Sequence, residues 1–345
     1  MCSPINDVLI LGAGAAGLMC AITAGQRGRS VRVLERAERP GKKILISGGG
    51  RCNFTNLYAG PDNYLSGEPA FCRSALARYG PQDFIDLVER HGIPYHEKKL
   101  GQLFCDGSSR EIVGMLAAES EAAGVRIETH AEAGEISRCA DGHFIVRVGG
   151  GELSGRSLVV AAGGLTWPKL GGSDIALRLA RQFGLAIVPP RPGLVPLTFS
   201  GDTRRLCEEL SGVSLPCRAE ACTPGSRPFR ENLLFTHRGL SGPAVLQASS
   251  YLTGRHDMID ADMVFDLLPD APDNEPWLTP IRIARSCFLH ASITGTKLAS
   301  IAKRSSICSC SEYSIWLVCL WKTNSPGFTR TSSTCFAAST AIAVP

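Results

Sequence analysis

The chain lacks the usual marks of export and of membrane insertion. Its first residues, "MCSPINDVLILGAG", carry no basic segment followed by a long apolar run. Its longest apolar run near the end, "YSIWLVCLW", is about half of a ~20-residue membrane span. A cytoplasmic protein with no membrane association is expected. Cysteine is plentiful, at 14 residues, yet no two form a CxxC pair and no His/Cys group has zinc-ligand spacing. That excludes a motif-built metal site and predicts reduced thiols used mainly for packing. Acidic residues are nearly missing from residues 281–345, which hold seven Lys/Arg against Glu312 alone. This end carries +6 of the chain's net +4, so residues 1–280 sum to −2 and offer no basic body for gripping nucleic acid.

What is present is 345 residues, 44% hydrophobic and 20% charged, enough for two domains with substantial cores. "DVLILGAGAAGLMCAITAGQRGRSVRVLER" predicts a strand over Asp7–Leu11, a glycine-rich turn, a helix over Ala15–Gln26 and a second strand at "SVRVLE". "PQDFIDLVERHGI" and "REIVGMLAAESEAAGV" predict amphipathic helices. "RIETHAEAGEISR", "GHFIVRVG" and "RSLVVAAGG" predict strands. An α/β domain is expected over 1–192. Short strands between Pro and Gly suggest a smaller β-rich insert over 193–275. Residues 276–345 change character abruptly. From 281 onward there are two Gly, no Asp and nineteen Ser/Thr, with no sustained period, which predicts an aberrant tail translated from a shifted reading frame.

Gly12, Gly14 and Gly17 form GxGxxG between that first strand and helix, with Ala15 and Ala16 opening the helix. In this context the first glycine makes a tight turn, the second admits a pyrophosphate to the backbone, and the third packs helix on strand. Glu35, eighteen residues after Gly17, ends the second strand where a carboxylate can accept hydrogen bonds from a ribose. It argues against a bound 2′-phosphate, although Arg36 beside it leaves an opening for NADP. The next segment, "PGKKILISGGGRCNFTN", departs from the helix an NAD domain would place there. It supplies a second run of close-approach backbone with Arg, Asn and Thr groups, which suits a flavin.

"GAGAAGL", "GKKILISGGGRCNFTN", "GQLFC", "VVAAGGLTWPKLG", "LVPL" and "NLLFTHRGLSGPAVLQ" together resemble the bacterial HI0933-like FAD-binding flavoproteins, also called the aminoacetone oxidase family, over about residues 5–270. The resemblance implies a Rossmann-type FAD-binding domain interrupted by a barrel-like insert. It implies that Ser47, Gly48, Gly49, Gly50, Arg51, Cys52, Asn53 and Thr55 line the flavin and pyrophosphate site, that Lys43 joins them, that Ala162 and Gly163 re-approach FAD, and that the backbone of Ala133 meets adenine. Ala162 replaces the family's Thr, and Cys105 stands where the family often has Pro in a local turn. The family's returning FAD segment, resembling "GEVLDVDGxxGGYN", has no counterpart in 276–345.

The function so implied is an FAD-dependent oxidoreductase exchanging hydride between flavin and an organic substrate, with NAD(P)H or oxygen as redox partner. An amine such as aminoacetone, or uridine in ribosomal RNA reduced to dihydrouridine, is the substrate class the family suggests. The competing expectations are an inactive frame-shifted product and a non-catalytic nucleotide-binding module. Catalytic residues are open. Cys52 has no cysteine at redox-pair spacing, and His237 in "FTHRGLSGP" is a general acid/base candidate on residue type alone.

Overall fold

A computed structural model describes residues 5–166, 170–252, 263–267 and 269–270, and the backbone of 281–283. The described chain divides into two units, one running to Val188 and the other from Pro189.

The first unit opens as the periodicity predicts, with β1 (Asn6–Leu11), α1 (Ala15–Gln26) and β2 (Val31–Leu34). A one-turn helix α2 (Lys42–Ile46) and the short strand β3 (Asn53–Asn56) follow. Then come α3 (Arg73–Arg78), α4 (Pro81–Arg90), β4 (Tyr95–Glu97), β5 (Gln102–Cys105) and α5 (Ser109–Ala122). The unit closes with β6 (Arg126–Glu128), β7 (Ala133–Arg138), β8 (Phe144–Val148), β9 (Gly151–Val160) and α6 (Ile175–Gln182).

The main sheet has the order β6-β2-β1-β9-β8-β7, parallel from β6 to β9 and antiparallel beyond. Strand β1 is covered on both sides, as a central parallel strand must be. Its alternating side chains part accordingly. Val8 and Ile10 enter a cluster with Leu18 and Ile22 of α1 and Ile112 and Leu116 of α5. Leu9 and Leu11 enter a second one with Val146 and Leu179. This is a Rossmann-type α/β unit, and its binding crevice is expected at the carboxyl ends of β1 and β9, where the strand order reverses.

The segment after β2 differs from expectation. Residues 42–46 do form a helix, although too short to show a period. Its last turn is finished from far away, since Ser109 Oγ at the start of α5 donates to the Leu45 carbonyl at 2.8 Å. Cys105 ends strand β5 rather than sitting in a turn, and its backbone N–H donates to the Arg51 carbonyl at 3.0 Å. A proline there would forfeit that bond. β3, β5 and β4 form a separate three-stranded antiparallel sheet.

The second unit is a six-stranded antiparallel sheet: β10 (Leu197–Thr198), β11 (Ser214–Ala221), β12 (Phe229–Thr236), β13 (Gly239–Ser241), β14 (Met263–Asp266) and β15 (Ile281–Ile283). It also carries two helices that the sequence reading of this region did not include, α7 (Gly201–Glu209) and α8 (Pro243–Ser249). Helix α8 starts with Pro at its first position, a start signal masked by the surrounding Pro/Gly punctuation. The sheet runs past residue 275: β15 pairs with β14, Met263 opposite Ile283. The β15 amides that face β14 are therefore expected to be protected from hydrogen exchange, within the segment 276–345 expected above to be an aberrant tail. The rest of that expectation, and Trp167–Lys169 of the "GGLTWPKLG" block, lie outside the described residues. Among the described residues, no helix is long and apolar enough to cross a membrane. None of their His, Cys, Asp and Glu side chains gather into a group of three that could hold a metal.

Candidate dinucleotide-binding site

The glycine-rich turn is built by close packing. Gly12 adopts φ +100°, and a Cβ there would lie 2.6 Å from the Ala161 carbonyl oxygen. One at Gly17 would collide with the Gly12 carbonyl oxygen, so the first turn of α1 rests directly on the turn beneath it. Gly14 is the opposite case. It caps α1 with ordinary extended backbone, and a Cβ there would meet nothing within 4 Å. The first turn of α1 contains no acidic side chain and receives no side-chain cap, so its N–H groups face open space.

That space is a cavity of about 560 Å³ at the carboxyl ends of β1, β2 and β9. Of the sequence-predicted residues it brings together Gly12, Gly14, Ala15, Ala16, Glu35, Arg36, Lys43, Ala133, Ala162 and Gly163. Gly17 lies behind it as packing. Sequence reasoning missed His130, Gly171 and Arg178 in its wall. Gly171 packs against the Arg36 guanidinium, and Arg178 pairs with Asp174 at 3.0 Å. Gly171 ends the "VVAAGGLTWPKLG" block without a role being assigned to it, and His130 and Arg178 carry no local motif.

Glu35 is held more firmly than its assumed ribose role requires. One carboxylate oxygen accepts from the Ala13 N–H at 2.7 Å and the other from the Ala37 N–H at 2.8 Å. It ties the glycine-rich turn to the segment leaving β2, and a carboxylate's further lone pairs can still serve a ribose. Glu35→Ala strands both amides. It is expected to cost about 2–4 kcal/mol of stability, on the scale of about 1–3 kcal/mol for each buried group left unpaired. A urea midpoint close to that of the parent would show that the tie is dispensable.

Lys43 projects from α2 toward Gly163, where a Cβ would lie 3.3 Å from Nζ. Burial holds its ammonium pKa below the ordinary lysine value. It is a cation kept partly desolvated at the cavity wall.

The SGGGRCN block is not part of the cavity wall: Ser47, Gly48, Gly49, Gly50, Arg51, Cys52, Asn53 and Thr55 are all absent from it. Gly48 and Gly49 are left-handed, and a Cβ on Gly48 would lie 2.7 Å from the Asn53 nitrogen and 2.8 Å from the Phe104 ring. The close approach at Gly48 is to the protein itself. Ser47 is buried, with its hydroxyl donating to the Ile44 carbonyl at 2.8 Å. Cys52 is buried in the apolar cluster, and burial pushes its thiol up to about 11. His237 is exposed, on the turn between β12 and β13 of the second unit.

The chain is 51% identical over 245 residues to the ribosomal RNA dihydrouridine synthase of Escherichia coli K12, covering 71% of this chain and 60% of that protein. It is 46% identical over 252 residues to the enzyme of the same name from Haemophilus influenzae, covering 72% and 62%. A more distant relative, the 3-dehydro-bile acid delta(4,6)-reductase of Clostridium scindens, is 27% identical over 273 residues, 77% of this chain and 65% of that one. The chain thus spans about three fifths of the length of the two synthases it matches. Residues 6–319 match the model of the HI0933-like protein Rossmann domain, and the chain belongs to that family.

Proposed function

We propose that the first unit binds FAD and that the chain belongs to a flavoprotein oxidoreductase acting on uridine in ribosomal RNA. The observation that carries the cofactor is the open space over Gly14, flanked by the uncapped start of α1 and by Glu35. These residues suit the adenosine diphosphate half of a dinucleotide. The amides of Ala15 and Ala16 would hold the pyrophosphate, Glu35 the ribose and the Ala133 backbone the adenine. Lys43 would balance phosphate charge from the Gly163 side. FAD supplies hydride exchange at its isoalloxazine ring, and NAD(P)H would be the reductant. The chain's own part is to bind, orient and neutralise. The SGGGRCN turn, held by the Cys52 N–H donating to the Ser47 carbonyl at 3.0 Å, would support the flavin end from outside the cavity.

Kinship with the two synthases supports this substrate, dihydrouridine being uridine with its C5–C6 double bond saturated. The −2 charge of residues 1–280 means that RNA contact would rest on local groups rather than on a general basic surface.

The test is a fluorescence titration of the purified full chain with FAD, with ADP as competitor. Micromolar FAD binding displaced by ADP is expected. The family's returning segment, resembling "GEVLDVDGxxGGYN", would add about two hydrogen bonds, and losing them costs roughly a hundred- to ten-thousandfold in affinity. ADP binding with no FAD binding would instead favour the nucleotide-binding module. Reductase activity on ribosomal RNA is to be assayed beside a full-length relative, and a relative that leaves uridine unreduced while turning over an amine would overturn the substrate assignment.

A further inference from the structure

Cys52 and Cys105 are 53 positions apart in the chain and adjacent in the fold. Asn53, the first residue of β3, pairs with Phe104 of β5, and Cys52 and Cys105 are the residues adjoining that pair on its outer side. The Cys105 N–H bond to the Arg51 carbonyl keeps the two backbones together at this point. Both side chains enter the same apolar cluster, Cys52 5% exposed and Cys105 fully buried. With Asn53 paired to Phe104 on one side and Arg51 bonded to Cys105 on the other, Cys52 is held against Cys105, near the Cα separation of roughly 4.4–6.8 Å that a disulfide bridges.

We propose that Cys52 and Cys105 form a cross-strand dithiol, a modification site that a small-molecule disulfide of the oxidised-glutathione class closes into a protein disulfide. Cys52, the less buried, gives up its proton and attacks one oxidant sulfur. The oxidant S–S bond breaks, and the departing thiolate takes that proton. Cys105 then loses its proton, its sulfur attacks Cys52 Sγ, and the second small thiol leaves carrying that proton. Two electrons pass from the protein pair to the oxidant, which ends as two thiols.

The site is slow by construction. Burial pushes Cys52 up to about 11 and Cys105 up to about 12, the latter also raised by Cys52 itself and by Glu111 and Asp106. Thiolate is rare at neutral pH, and attack waits for a brief opening of the β3 edge. Once Cys52 carries the mixed disulfide, its neighbour is already in place, so closure is intramolecular. The new bond would fasten the end of the SGGGRC turn, where Cys52 sits at φ 52°, to β5.

The experiment treats the full chain in a Cys72→Ser background with oxidised glutathione at mildly alkaline pH. Remaining thiols are then alkylated under denaturing conditions and the peptides mapped without reduction. The expected product links the Cys52 peptide to the Cys105 peptide, is lighter than their sum by two hydrogens, and is lost on reduction. In Cys105→Ser, Cys52 should instead keep the glutathione. Linkage of Cys52 to Cys20 overturns the proposal. So does a stable glutathione adduct on Cys52 beside an alkylated Cys105, or both residues alkylated once the exposed Cys222 is fully oxidised. Should Cys105→Ser fail to fold, the peptide map of the Cys72→Ser chain decides alone.

Discussion

Gly14→Val is expected to yield a folded chain that has lost FAD affinity by a hundredfold or more, about 3 kcal/mol. Gly14 has an ordinary backbone conformation, and the added carbons meet no protein atom near its Cβ position. The fold therefore has little to lose. The ligand loses its place, because the branched side chain occupies the space a pyrophosphate needs to reach the first-turn amides of α1. A thermal melt by circular dichroism checks the fold, and the FAD titration checks the site. Parental affinity in a cooperatively melting variant would put the cofactor elsewhere on the molecule.

Three residues on, the same type of change should do the reverse. Gly17→Ala drives a methyl group into the Gly12 carbonyl oxygen, a backbone atom that no rotamer change can move aside. Relief requires lifting α1 from the turn, which would disturb Leu18 and Ile22 in the cluster shared with α5. A loss of about 3 kcal/mol or more is expected, at the upper end for overpacking. It would be read as a fall in the urea midpoint together with poor soluble yield. A midpoint matching the parent would mean that helix and turn are not in contact there. The two variants separate the glycine that makes room for a ligand from the glycine that makes room for the protein.

That separation was half visible in the sequence. GxGxxG with flanking strand and helix states which glycine should do which, because each role follows from a fixed place in one local turn. Glu35 was legible as the acid at the end of β2. Its bonds to Ala13 and Ala37 were not, since they depend on the path of two loops. Helix α2 escaped notice because five residues cannot display a helical period, and part of its support comes from Ser109. The SGGGRCN block shows the limit most clearly. Its composition announces close approach without saying to what, and Gly48 proves to be hemmed in by Asn53 of the same block and by Phe104, 56 positions later.

The sequence by itself determined the elements whose signals are local and periodic: β1, α1, β2, α4, α5 and the strands leading to "VVAAGG". Alternation and the 3.6-residue repeat decide which face each buries, and the glycine spacing decides where the first turn lies. Tertiary structure alone decided which chemistry-bearing groups meet. It set Arg36 beside Gly171, aimed Lys43 at Gly163, brought Cys105 and Cys52 into one cluster and carried the β-rich sheet on to Ile281–Ile283. Each of those encounters joins segments distant in the chain through strand register and helix packing, and no window of residues encodes a register that only the partner strand completes.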